Sequence, residues 1–191
     1  MQALQVEDLR RWCEASPAGV KLDLPDHLRY ATGNRLGLRL EVPAEAPRAV
    51  ALVSSLLAVE EDDGDYYGAL LWFTDFDTGT PRIERCGLRI LEQMRRGYGV
   101  TASVENAPGQ LFRTDEIADV HAFLALPLLF GWTAYFVPHR TRYFAYARPD
   151  ASLYLVTDDE QVLQRLLTHL AEYHPVPQLP SYLRDGDAED F

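Results

Sequence analysis

The chain has 191 residues, 47% of them hydrophobic and 25% charged, which is material for one buried core and excludes both a disordered chain and a multidomain array. Its net charge of -11 is concentrated: Glu60, Glu61, Asp62, Asp63 and Asp65 carry five negatives and Asp185, Asp187, Glu189 and Asp190 four, leaving 20 acidic against 18 basic residues elsewhere. That clustering argues against nucleic acid as a partner, and the absence of a basic leader or of roughly 20 consecutive apolar residues argues against export and a membrane span, so a cytoplasmic protein is expected.

In chain order, Val6, Leu9, Trp12 and Cys13 recur at helical spacing, and Ser16-Pro17 closes the helix they predict. Arg35 to Val42 alternates, with Leu36, Leu38, Leu40 and Val42 on one face and Arg35, Arg39 and Glu41 on the other, the pattern of a half-buried strand. After Pro47, residues Ala49, Leu52, Val53, Leu56 and Leu57 fit a helix, with a strand left open for residues 48–58. The acidic loop then leads into Tyr67–Thr74, an apolar strand expected to be buried on both faces.

Thr80 and Pro81 suit the N-cap and first turn of a helix with Ile83, Cys86, Ile90, Leu91 and Met94 on its core side, Arg82, Arg85, Arg89 and Arg96 outside, and Gly97 at its end. A further helix starts at Thr114, packs through Ile117, Val120 and Leu124, and is kinked or ended near Pro127. Three apolar runs, Trp132–Val137, Tyr143–Ala147 and Ser152–Val156, are joined by turns suited to an antiparallel meander. Thr157-Asp158-Asp159-Glu160 caps a last helix that packs through Val162, Leu163, Leu166, Leu167 and Leu170. The expected fold is α+β: a largely antiparallel sheet of about five strands, helices packed mainly on one face, in a single domain of residues 1–174. Residues 175–191 are expected as a proline-rich extended segment and an acidic tail.

Motifs for chemistry are sparse. The apolar strand ending in Asp75-Phe76-Asp77 resembles the first motif of haloacid-dehalogenase-like phosphotransferases. The resemblance implies one carboxylate attacking phosphorus, a second acting as acid and base, and a magnesium ion held by Asp75 and Asp77, with Asp158 or Asp159 as a further ligand. The same residues also suit a strand-to-helix turn and a first helical turn, where carboxylates accept backbone N–H groups. The family's motif carries a hydroxyl residue two positions after its second aspartate, where this chain has Gly79.

His27, His121, His139, His169 and His174 show no ligand spacing, and no Gly-x-Ser-x-Gly elbow, P-loop or Gly-x-Gly-x-x-Gly occurs, so no catalytic residue and no cofactor is assigned. Cys13 and Cys86 read as reduced thiols on apolar helix faces. Only Lys21 among the basic residues is lysine, an arginine bias expected of a GC-rich, bacterial coding sequence. His139, Arg140 and Arg142 make a basic turn able to hold a small anion, or to keep a sheet edge in solution. The expectation drawn from these features is a non-catalytic binding protein that engages a basic protein partner through Glu60, Glu61, Asp62, Asp63 and Asp65, with Tyr66 and Tyr67 as the adjoining aromatic contacts. The magnesium-dependent phosphotransferase and the small-anion sensor are the alternatives.

Overall fold

Alternation and burial decide where each element goes. The computed structural model describes residues 1–16, 19–23, 27–30, 35–61, 68–76 and 80–184. Its strands in chain order are β1 (Gln2–Leu4), β2 (Val20–Asp23), β3 (His27–Tyr30), β4 (Leu36–Glu41), β5 (Ala69–Asp75), β6 (Gly109–Phe112), β7 (Thr133–Pro138), β8 (Tyr143–Ala147), β9 (Ser152–Thr157) and β10 (Val176–Pro177). Its helices are α1 (Val6–Ala15), α2 (Ala46–Glu61), α3 (Pro81–Gly97), α4 (Ile117–Phe130), α5 (Glu160–His169) and α6 (Ser181–Arg184). None of them is long and apolar enough to cross a membrane among the described residues.

Eight strands form one antiparallel sheet in the order β1-β6-β5-β7-β8-β9-β4-β10, while β2 and β3 pair as a separate hairpin. The α+β class and the antiparallel sheet are as expected, but the sheet has eight strands rather than about five. The additional members, β1, β6 and β10, are 3, 4 and 2 residues long, too short for a period of two to emerge from the sequence. Residues 48–58 are helical, within α2. Pro127, expected to kink or end its helix, lies inside α4, which runs on to Phe130 and stops at Gly131 in the left-handed conformation.

Every residue of β8 and β9 is buried because both faces of the sheet are covered. On one face Leu38, Leu40, Leu71, Phe73, Phe136 and Leu155 meet side chains from α2, α3, α4 and α5. On the other, Leu70, Trp72, Tyr135, Phe144 and Tyr146 meet α1, the β2–β3 hairpin and Leu183 of α6. Four helices therefore cover one face, as expected, and the hairpin and two short helices close the other. The stretch beyond His174 is extended at Val176–Pro177, which pairs with β4, and Tyr182 of α6 then donates its hydroxyl to the Leu28 carbonyl at 2.9 Å.

The second face carries an aromatic row. Trp72, Tyr135, Tyr146 and Tyr154 are direct cross-strand partners on β5, β7, β8 and β9. Trp72 stacks on Tyr135 at 5.2 Å and Tyr135 on Tyr146 at 4.5 Å between ring centroids. Such pairs add about 0.2–1 kcal/mol each to a sheet beyond what alanines would give. His27 closes over the row, its Nδ1 3.0 Å from the Tyr135 hydroxyl and its ring stacked 4.3 Å from Tyr182.

Strand direction also sets the two ends of the sheet apart. Asp75 pairs with Thr133, whereas Thr157 pairs with Tyr143, so β5 and β9 finish at opposite ends. Gly68, just before β5, accepts a hydrogen bond from the His139 backbone N–H at 3.0 Å. The β7–β8 turn therefore lies at the β5 start, and α3 begins at the β5 finish.

Candidate functional site: an arginine and isoleucine face on one helix

The 17 residues of α3 place only Gly87, Leu91 and Arg95 in the interior. The reason is local. A β-carbon at Gly87 would come within 2.4 Å of Trp132 Cζ2 and 2.8 Å of Phe130 Cγ, so the helix touches the body of the protein backbone-first at this point. Leu91 and Arg95 follow at intervals of four, and this row becomes the buried side.

That geometry corrects the expected orientation. Ile83, Cys86 and Ile90 were expected in the core; Ile83 is 45% exposed, Ile90 37%, and Cys86 is exposed, while Leu91 is buried and Met94 half-buried. Cys13 is buried as expected, so the two cysteines occupy different environments on separate faces.

Around the helix axis at about 100° per residue, Arg85, Arg96, Arg89 and Arg82 fall within roughly 60° of one another, and Cys86, Ile90 and Ile83 occupy the sector next to them. Between these rows the side chains of Arg82, Arg85, Cys86, Arg89, Ile90 and Gln93 leave a shallow, open depression. Arg96 pairs with Glu92 at 3.7 Å, and Arg85 donates from Nε to the Pro81 carbonyl at 3.1 Å. Among the described residues none of Arg82, Arg85 and Arg89 is held in an ion pair. The face can thus present three guanidinium groups and an apolar stripe together.

Arg95, at the inner end of the same helix, is 2% exposed. Its Nη2 donates to the carbonyls of Ala102, Ser103 and Ala107 at 3.2, 3.4 and 3.0 Å, while Nε and Nη1 have no partner among the described residues. Burial pulls its pKa below the usual arginine value, with the Glu92 charge acting against that shift. Arg95 ties the segment 102–107 to α3 and so supports the helix from behind.

The expected sites are placed as follows. Asp62, Asp63, Asp65, Tyr66 and Tyr67 lie outside the described residues, and Glu60 and Glu61 form the end of α2. Asp77 also lies outside them. Asp75 is exposed at the end of β5, six residues along the sheet from the level of Asp158, or roughly 20 Å, so a single ion with ligand distances near 2 Å cannot take both. Asp159 instead caps α5, its Oδ1 accepting from Gln161 N–H at 2.7 Å and Val162 N–H at 3.3 Å. No group of three or more His, Cys, Asp and Glu side chains suited to a metal occurs among the described residues.

His139, Arg140 and Arg142 share the β7–β8 turn as expected. The Arg142 guanidinium grips Asp158 through two parallel bonds, Nε to Oδ1 at 2.9 Å and Nη2 to Oδ2, so an external anion would have to compete with that carboxylate. Ser54 Oγ lies 2.8 Å from His121 Nε2, a pair that no local sequence pattern connects because the residues sit on α2 and α4. An open pocket beside the pair is lined by Leu57 of α2 and by Ile117 and Ala118 of the first turn of α4.

No protein-family model matches this chain, and no curated protein or solved structure matches it.

Proposed function

We propose that this chain is a non-catalytic interaction protein that docks an acidic, apolar-flanked segment of a protein partner on the outer face of α3. The observation that carries this reading is the exposure of Ile83 and Ile90 beside Arg82, Arg85 and Arg89. Ile83 and Ile90 are 45% and 37% exposed, so covering them recovers somewhat under half of the about 1.5–3 kcal/mol that full burial of each side chain is worth, and the adjacent guanidinium groups select carboxylates and steer the approach. The helix is already ordered and anchored through Gly87 and Leu91, which keeps the ordering cost of docking low.

The acidic segment from Glu60 to Asp65, with Tyr66 and Tyr67, is the complementary half of the same reading: a surface for a basic partner. The phosphotransferase alternative has less support, given the separation of Asp75 from Asp158.

The test is a titration with a labelled helical peptide bearing glutamate on one face and leucine on the other, beside its lysine counterpart. Saturable binding of the glutamate peptide alone is expected, weakened at least about tenfold by the Arg82→Glu, Arg85→Glu, Arg89→Glu triple variant and also by Ile83→Ser, Ile90→Ser. Equal binding to all three proteins, or to neither peptide, would remove the proposal.

A further inference from the structure

We infer that the small pocket at the C-terminal end of α3 binds a single phosphate group, as the free ion or a monoester, on the buried Arg95 guanidinium. This goes beyond the docking surface on the outer face of the helix, and neither depends on the other. The pocket is walled by Glu92, Arg95 and Arg96 of α3 and by residues 100–103, which follow it.

Arg95 brings a charge that is held out of water, at 2% exposure, and only partly compensated. Three carbonyls share Nη2, while Nε and Nη1 have no acceptor among the described residues. Glu92 acts on Arg95 from the preceding turn, but its carboxylate is shared with Arg96 at 3.7 Å. Burying a charge is costly unless it is paired and hydrogen-bonded, and phosphate oxygens are acceptors that guanidinium donors suit. Further donors stand on the same wall. Among the described residues the backbone N–H groups of Thr101 and Ala102 have no acceptor. Both residues are exposed, as is Ser103, whose Oγ accepts from the Asn106 N–H at 3.4 Å and keeps its own proton to donate. The helix has its negative pole here, but the Arg95 and Arg96 carbonyls are already taken by the N–H groups of Tyr98, Val100 and Gly99.

Glu92 decides which oxyanion fits. A carboxylate on the wall accepts hydrogen bonds and repels an anion that can offer none, so the ligand must bring a proton of its own. Phosphate and its monoesters, with a second pKa of about 6, carry one in part of their population near neutral pH, whereas sulfate carries none. The pocket therefore selects phosphate over sulfate, an ion of the same shape.

The test is an NMR titration of the isotope-labelled whole chain with inorganic phosphate, phenyl phosphate and sulfate at constant ionic strength, beside thermal melts in the same solutions. Phosphate should move the amide signals of residues 100–103 saturably and raise the melting temperature by mass action. Sulfate should bind at least about tenfold more weakly. Arg95→Met should lose both responses, and the Arg82→Glu, Arg85→Glu, Arg89→Glu triple variant should keep both, which separates this pocket from the outer face. Phenyl phosphate binding as tightly as the free ion would assign the site to monoesters, and its exclusion to the free ion; either supports the pocket. Should Arg95→Met fail to fold, Thr101→Val must weaken phosphate at least about threefold. Amide shifts that are absent or never saturate, or sulfate binding as tightly as phosphate, would overturn the inference. So would an equal melting rise in wild type and Arg95→Met, because exclusion of phosphate from the protein surface stabilises any fold. Loss of binding in the triple variant with retention in Arg95→Met would place the anion on the outer face and overturn it as well.

Discussion

Gly87 lies against the Trp132 ring so closely that a β-carbon there would sit 2.4 Å from Cζ2. This contact sets the rotation of α3 and decides which of its side chains face water. Alanine normally favours a helix over glycine by about 1 kcal/mol. Here the extra methyl must displace the Trp132 and Phe130 rings, an overpacking cost of typically 1–3 kcal/mol. Gly87→Ala should therefore lower stability by up to about 2 kcal/mol in urea melts, and a stabilised variant would show that the contact is loose.

Arg95 makes a second test of how α3 is held. Replacing a buried, unpaired charge by an apolar residue of similar volume is often neutral in stability, because the desolvation cost disappears along with the hydrogen bonds. Arg95→Met should change global stability by no more than about 1 kcal/mol while speeding amide exchange across residues 102–107, whose carbonyls lose their donor. Arg95→Ala, which also leaves a void, should cost about 2–4 kcal/mol. Equal effects from the two substitutions would mean that the charge itself holds the loop.

Burial pushes the Cys13 thiol up from 9.0 to about 12. Because the folded state holds this proton more tightly than the unfolded chain, the stability it contributes is present below pH 9 and lost as pH rises from about 9 towards about 12. The slope is at most about 1.4 kcal/mol per pH unit. Urea melts of wild type and Cys13→Ala between pH 7 and pH 11 should diverge in that window and run parallel below it. In the folded protein a thiol reagent should modify the exposed Cys86 and leave Cys13 untouched.

Tyr135 is fully buried with its hydroxyl on His27, and burial raises its pKa well above the usual tyrosine value. Tyr135→Phe keeps both ring stacks and removes the hydroxyl, so a loss of about 1–2 kcal/mol is expected from the unpaired His27 and neighbouring phenols. Tyr135→Ala removes the centre of the row as well and should cost about 3–5 kcal/mol. A loss for Tyr135→Phe as large as for Tyr135→Ala would assign the energy to the hydrogen bond rather than to the stack.

Asp159→Ala should cost about 1 kcal/mol, the usual worth of a side chain that satisfies the first amides of a helix. An unchanged melting temperature would mean that water replaces the cap at no loss.

The elements with enough residues to repeat a pattern were legible in the sequence. The strict alternation at Leu36, Leu38 and Leu40 marked β4, and the apolar runs marked β5, β7, β8 and β9. The 2- to 4-residue strands carried no period, and neither did the β2–β3 hairpin, where Lys21 and Arg29 face each other across the pair. On α3 the isoleucines outweighed a glycine in the apolar count, although Gly87 is what permits close approach and turns the helix by about a quarter of a revolution. A glycine in the middle of an arginine-rich helix was the available signal for this face. The pairing of Ser54 with His121, and the separation of Asp75 from Asp158, depend on how α2 meets α4 and on strand direction, which no local pattern encodes.

The position of β4 between β9 and β10 has a consequence for synthesis. Glu41 pairs with Ser152, so once β4 has left the ribosome 110 further residues must be made before its partner begins to emerge. At typical elongation rates this wait is on the order of ten seconds, during which Leu36, Leu38 and Leu40 form an unpaired apolar edge. The meander β7–β8–β9, by contrast, can zip together as it emerges. A nascent chain stalled before Ser152 is the form of this protein most in need of a chaperone.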